Sequence, residues 1–295
     1  MYEGSDSVVG LMRPVLAWAA ACVDGDARVA GVRALHAGEG PWLLRIESSR
    51  RLIEVVLRAP TSRIDDGMIA TNVAALMLAE QHALPAPRLL GVDLDGQVGG
   101  VPVSAETVVT GSSAWSARAS ADRLRAAGAA IARVHQIPQA PSGHLPVRPR
   151  PIAVDDFARE RRMGRMPATP LLERADALIQ GIAAMPGPTV FVHGDVWPGN
   201  MMWRGSVCRA LIDWKTAGVG DPGVDLGELR KQVAMANGPD APRYVLEGWE
   251  RASGFRAGEV AYWDAVAALN TPTECDPPRH TAPRDEFLRT ALEQL

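Results

Sequence analysis

Val190-Phe191-Val192-His193-Gly194-Asp195-Val196-Trp197-Pro198-Gly199-Asn200-Met201-Met202-Trp203 is the stretch that decides the fold. Residues 189–192 are apolar and β-branched, the pattern of a short buried strand. The strand runs into a turn that gathers His193, Asp195 and Asn200 among glycine and proline. Asp195 can take a proton or orient a hydroxyl. Asn200 carries an amide oxygen, which suits a hard cation. Residues 201–203 and 210–212 read as strands flanking a hairpin turn over 204–209. A symmetric hairpin sets Asn200 opposite Asp213, with Cβ atoms about 5 Å apart. An amide oxygen and a carboxylate could then share one Mg²⁺. Asp221 and Asp225 follow in Gly-Asp-Pro-Gly-Val-Asp-Leu, and Asp225 with Glu228 has the spacing of a capping box for the next helix.

Working outward, residues 29–35, 41–47 and 52–58 read as an antiparallel meander, punctuated by Gly38-Glu39-Gly40 and Ser48-Ser49-Arg50. A helical pattern over 68–82 follows, then strands at 92–94 and 101–109. Further on, 120–135 reads as a helix with His135 at its end, a core or capping histidine. Residues 138–151 are too rich in proline for a regular element. A short helix carries Arg159, Arg161, Arg162 and Arg165, read as a solvated face, with acceptor binding as the alternative. Helices are expected over 171–184 and again from 226 to 295. Trp249, Tyr262 and Trp263 read as core, or else as a ligand wall. The fold class is α+β: a lobe over 1–110 of sheet plus one helix, then a mainly helical lobe over 111–295.

The bulk numbers narrow the function. The chain has 295 residues, 47% hydrophobic and 22% charged, with a formal net charge of −3. That balance gives nucleic-acid binding no electrostatic support. Lys215 and Lys231 are the sole lysines. Cys22, Cys208 and Cys275 are far apart and lack zinc spacing, so reduced thiols and a cytoplasmic protein are expected. The apolar run 15–23 is too short to span a bilayer and follows acids, so it reads as an amphipathic or buried helix. No membrane partner is expected. From Asp221 onward there are thirteen acids and eight bases, a mild bias toward a cationic partner.

With these residues in view, the sequence resembles the aminoglycoside phosphotransferase and choline kinase-like family, relatives of the protein kinases. The resemblance runs from about residue 29 to the helices after Asp225 and is most specific from His193 to Asp225. It implies a protein-kinase-like bilobal fold, with a nucleotide-binding first lobe and a catalytic, acceptor-binding second lobe. It implies transfer of the ATP γ-phosphoryl group to a small-molecule hydroxyl, with Mg²⁺ and with GTP as the other nucleotide that could serve. By match of motif, Asp195 is the catalytic aspartate, Asn200 and Asp213 are the magnesium ligands, and His193 braces the catalytic loop. Asp221 and Asp225 are structural acids behind it. In the first lobe Arg58 stands where the family has a phosphate-binding lysine. Asn72 stands where its glutamate partner is usual, with Glu80 two turns further on. Gly38 and Gly40 lie in the phosphate-covering loop, and Glu106, Thr107 and Val108 form the hinge that meets adenine. The acceptor would be an antibiotic, an amino alcohol or a sugar-like metabolite. Arg58 and Asn72 motivate a second reading, a nucleotide-binding pseudokinase, against which stands the intact set Asp195, Asn200 and Asp213. A metal-dependent phosphoesterase is a third.

Overall fold

The computed structural model describes residues 6–36, 39–49, 51–116, 119–182 and 189–295. They form two compact units, Met1–Val109 and Thr110–Leu295.

The first unit opens with helix α1 (Asp6–Ala21), then strands β1 (Arg28–His36), β2 (Glu39–Glu47) and β3 (Leu52–Arg58). Helix α2 (Asp66–Gln81) and strands β4 (Leu89–Asp93) and β5 (Val103–Thr107) complete it. The strands make one antiparallel sheet in the order β1-β2-β3-β5-β4. Alternation sorts its two faces. Leu44, Ile46, Val55, Leu57, Val103 and Ala105 are sealed from solvent together with Val15, Ala19 and Ala20 of α1. The run that reads as a buried helix from residue 15 is therefore one, and α1 begins earlier, at Asp6. The intervening positions Arg58 and Glu106 face Asn72 of α2. Asp65 caps α2 by accepting the Met68 N–H at 2.8 Å, and such a cap stabilises a helix by about 1 kcal/mol.

The second unit holds helices α3 (Ala121–His135), α4 (Phe157–Arg162) and α5 (Pro170–Gly181), then α6 (Gly223–Asn237), α7 (Ala241–Ser253), α8 (Val260–Leu269) and α9 (Thr281–Glu293). Ser120 and Thr169 cap α3 and α5 through their hydroxyls. Among the described residues between α5 and α6 lie four short strands, β6 (Val190–Val192), β7 (Met201–Arg204), β8 (Val207–Leu211) and β9 (Gly218–Gly220). Strand β6 pairs with β9, and β7 with β8, both antiparallel. Helices α3 and α7 cross with almost no gap: a Cβ on Gly128 would stand 2.0 Å from the Val245 carbonyl, and one on Gly248 2.0 Å from that of Arg125. Glycine at both positions lets the two backbones touch. Among the described residues no helix is long and apolar enough to cross a membrane.

Of the four arginines read as a solvated face, Arg159, Arg162 and Arg165 are exposed, and Arg161 is the exception. Arg161 is buried and donates to the carbonyls of Thr271 and Leu269. Burial pushes its pKa down to about 10. Arg162 grips Asp176 at 2.6 and 2.9 Å, and Arg165 pairs with Glu160. The helix is short, and carbonyls at the end of α8 recruit its buried cation, which a helical-wheel reading cannot foresee. The end of the helix expected to reach residue 184 falls partly outside the described residues, and α5 itself ends at Gly181.

Candidate active site

Asp225 in the first turn of α6 organises the site. Its carboxylate accepts the backbone N–H groups of His193 at 2.7 Å and Gly194 at 2.8 Å, and His135 Nε2–H at 3.0 Å. Burial pushes its carboxyl up, but the His135 hydrogen bond, the neighbouring histidines and the His193 N–H outweigh this, so it ends below its usual range. The spacing Asp225-x-x-Glu228 is thus not a capping box. Helix α6 starts at Gly223 with no side-chain cap, and Asp225 is spent on the loop. Glu228 meets Lys231 and Gln232 instead. Trp249 Nε1–H donates to His135 Nδ1 at 2.9 Å. An indole can only donate, so His135 carries its hydrogen on Nε2, pointing at Asp225.

The loop after β6 is fixed from several sides. Gly194 has φ +81°, and a Cβ there would lie 2.2 Å from the Thr216 carbonyl. Gly194→Ala is expected to lose at least about 1–2 kcal/mol for the left-handed backbone alone, and the contact adds to it. A urea midpoint equal to that of the wild type would contradict this account. His193 is fully buried. Its Nε2 donates to the Ile212 carbonyl at 3.0 Å, and its Nδ1 accepts the Asp195 N–H at 3.3 Å. Burial lowers its pKa, and its ring packs on Trp214, which stacks on Phe191. His193 therefore ties the loop to the segment before Asp213 and has no nitrogen left for substrate.

The hairpin differs from the symmetric one expected. Met201 pairs with Leu211 and Met202 with Ala210, but Trp203 pairs with Cys208 and Arg204 with Val207. The turn is the tight Gly205-Ser206 pair, and Arg209 is an extra residue bulged out of the ladder. The register slips by one, so Asn200 opposes Ile212, whose N–H donates to the Asn200 carbonyl at 2.9 Å. Asp213 lies just beyond the ladder with φ +66°. A left-handed aspartate is strained, and such residues cluster at functional sites.

Asp195, Asn200 and Asp213 nevertheless come together, around a residue the sequence reading passed over. Asn200 Nδ2 donates to the Asp195 carbonyl at 2.9 Å and to its Oδ2 at 3.2 Å, so the amide oxygen remains the atom for a cation. Lys215 Nζ donates to the Asp213 carboxylate and stands 3.9 Å from Asp195 Oδ2. Burial pushes the Asp195 carboxyl up to about 7; Lys215 draws it down, while Asp213 and Glu228 push it up. Asp221 accepts the Gly223 N–H at 2.7 Å at the start of α6. Trp197, two residues past Asp195, leaves 45% of its surface exposed.

In the first unit Arg58 is buried, and its Nε–H donates to Glu106 Oε1 at 2.8 Å. Asn72 Nδ2 donates to the same oxygen at 2.6 Å. The acid partner of Arg58 thus comes from strand β5 and not from the helix, and Glu106 uses its side chain here. Thr107 ends β5; its N–H donates to the Arg88 carbonyl at 2.8 Å and its Oγ1 accepts the Arg88 N–H at 2.9 Å, and Val108 follows it. Gly40 sits in strand β2, and Gly38 lies outside the described residues.

A model of a phosphotransferase enzyme family matches residues 31–269. Solved structures with the same fold include the macrolide 2'-phosphotransferase MphH from Brachybacterium faecium, 20% identical, TM-score 0.62, covering 98% of this chain and 99% of that one. A second is aminoglycoside phosphotransferase APH(3'')-Id from Streptomyces rimosus, in complex with ADP and streptomycin. It is 18% identical, TM-score 0.53, covering 97% of this chain and 99% of that one. The amicoumacin kinase hAmiN, in complex with AMP-PNP and Ca²⁺, is 11% identical with a TM-score of 0.60, covering 89% and 87%. A search of the curated proteins returns no match. A family match over most of the chain, on a protein-kinase-like fold with a helical second unit, makes the chain a member of the phosphotransferase enzyme family, the small-molecule kinases.

Proposed function

We propose that the chain moves the γ-phosphoryl group of ATP, or of GTP, to a hydroxyl of a small molecule, with Asp195 orienting the hydroxyl and taking its proton. The carrying observation is one partly buried carboxylate, Asp195, on a loop pinned by Asp225 and flanked by an amide and an ammonium. Phosphoryl transfer needs positioning and charge neutralisation more than covalent work. Asn200 holds the Asp195 carboxylate in one orientation, and Lys215 adds a positive charge beside it. The oxygen atoms of Asn200 and Asp213 are the donors that suit Mg²⁺, which would neutralise the phosphates. Among the described residues no three His, Cys, Asp or Glu side chains gather for a metal. Two protein ligands fit an ion that arrives with nucleotide phosphates better than a resident di-metal centre.

Arg58 would hold the α- and β-phosphates through its planar fork, kept in place by Glu106. The motive for a pseudokinase weakens once Glu106 supplies the carboxylate that the Asn72 position lacks. Gly38 and Gly40 would allow close backbone approach, and the backbone of Glu106, Thr107 and Val108 would meet the base. The acceptor is a hydroxyl-bearing small molecule, and the exposed ring of Trp197 offers it a face beside Asp195. A cytoplasmic location goes with this reading, since nucleotide and reduced thiols are both found there.

The test is thermal stability with ATP, GTP and Mg²⁺, singly and together, on the wild type and Asp213→Ala. A ligand at 100 times its Kd stabilises the native state by about 2.7 kcal/mol. A rise in Tm that needs both nucleotide and Mg²⁺, and that Asp213→Ala loses, supports the reading. No rise with any nucleotide sinks it.

A further inference from the structure

The second unit contains a cavity of about 650 Å³ that the proposed transfer reaction does not use. Its volume is that of a site for a drug-sized molecule. Trp249, Phe255, Tyr262 and Trp263 supply aromatic walls, and Val190 and Leu226 add aliphatic ones. Two acids, Asp221 and Glu259, also line it. They are close enough to sense each other: burial holds the Asp221 carboxyl above its usual range, and the charge of Glu259 adds to this. The cationic side chain on the same wall, Arg256, is already paired with Glu250 at 2.6 Å. His135, also on the wall, gives its one hydrogen to Asp225. The charge left facing the cavity is negative.

The cavity lies away from Asp195, which is not among its lining residues. Strand β6 separates the two. The end of the β6–β9 ladder at Val192 and Gly218 leads to His193 and Asp195; the end at Val190 and Gly220 leads to Asp221 and the cavity. The two ends are about 7 Å apart along the strand, at about 3.3 Å per residue. They are also joined. Trp249 of the cavity wall donates to His135, which donates to Asp225, which holds the His193 and Gly194 N–H groups.

We infer that this cavity is a second ligand site, for a compound with an apolar or aromatic body and a protonated or quaternary amine, and that its occupancy is felt at the catalytic loop through Trp249, His135 and Asp225. Aromatic rings attract a cation through their faces, and the two carboxylates complete its charge. The apolar body fills the remaining volume.

The probe is 3-phenylpropyl-trimethylammonium, with its neutral isostere bearing a tert-butyl group in place of the trimethylammonium. Binding is followed by calorimetry and tryptophan fluorescence on the full chain without nucleotide, so the outcome is independent of the proposed transfer reaction. Expected is saturable binding of the cation, about 10-fold weaker binding of the isostere, and a loss of about 5-fold or more in Glu259→Gln, whose exposed side chain leaves the fold intact. Phe255→Ser, at a residue 74% exposed, should weaken both probes. Binding should persist in Asp195→Asn, and hydrogen exchange at Gly194 should change on saturation. Absence of binding at 10 mM probe overturns the site, and equal affinity for the isostere overturns the ammonium assignment. Loss of binding in Asp195→Asn would assign the cation to the transfer site instead. Unchanged exchange at Gly194 would overturn the link to the loop.

Discussion

Asp195→Asn is expected to leave nucleotide binding in place and to lower phosphoryl transfer by about 10²–10⁴-fold. The amide keeps the shape of the side chain, and its oxygen can still accept from Asn200 Nδ2. It cannot take a proton, so an acceptor hydroxyl bound beside it stays a poor nucleophile. The contacts that hold the loop, from Asp225 to the His193 and Gly194 N–H groups, do not involve the Asp195 side chain and should survive. The measurement is product formation in an acceptor screen, paired with nucleotide titration of the same preparation. Turnover within about 3-fold of the wild type would remove Asp195 from the chemistry.

Glu106→Ala is expected to destabilise the first unit by about 3–5 kcal/mol, because it removes a buried carboxylate to which both Arg58 and Asn72 donate. Arg58 and Glu106 expose 4% and 1% of their surfaces, so solvent cannot substitute for the lost partner. Asn72 would lose its acceptor as well. Removing the two charges together should cost far less: in Arg58→Met with Glu106→Leu, two apolar side chains occupy the space of the buried pair. That double variant should recover most of the denaturation midpoint. If Arg58 holds phosphates, it should still fail to bind nucleotide. A double variant that binds ATP as well as the wild type would make the pair purely structural.

Much of the fold is legible in the sequence because its signals are local. The alternation of β2 and β3 and the apolar stripe of α3 each lie within a short window, and the loop carrying His193, Asp195 and Asn200 is contiguous. What escapes depends on distant partners. Strand β9 is Gly-Val-Gly, too short and too flexible to announce itself, and it forms because β6 needs a neighbour. The hairpin register slips because one bulged residue, Arg209, cannot be told from a paired one by composition. Asp225 has capping-box spacing, yet two loop N–H groups and a histidine claim its carboxylate. Glu106 could have been found: a glutamate at the end of an apolar strand needs a buried partner. Lys215 could also have been found, as one of two lysines, placed two residues past a candidate metal ligand.

That lysine changes what entry of a nucleotide would mean. Two neighbouring carboxylates repel, and an arriving cation is usually drawn in by that unrelieved field. Here the chain brings its own ammonium to Asp213 and close to Asp195, so the repulsion is already answered. Docking of a metal-bound nucleotide at the proposed ligands Asn200 and Asp213 would then be an exchange of one cation for another. The affinity then reflects the difference between two ion pairs, and the resting enzyme keeps its loop assembled with no visitor present.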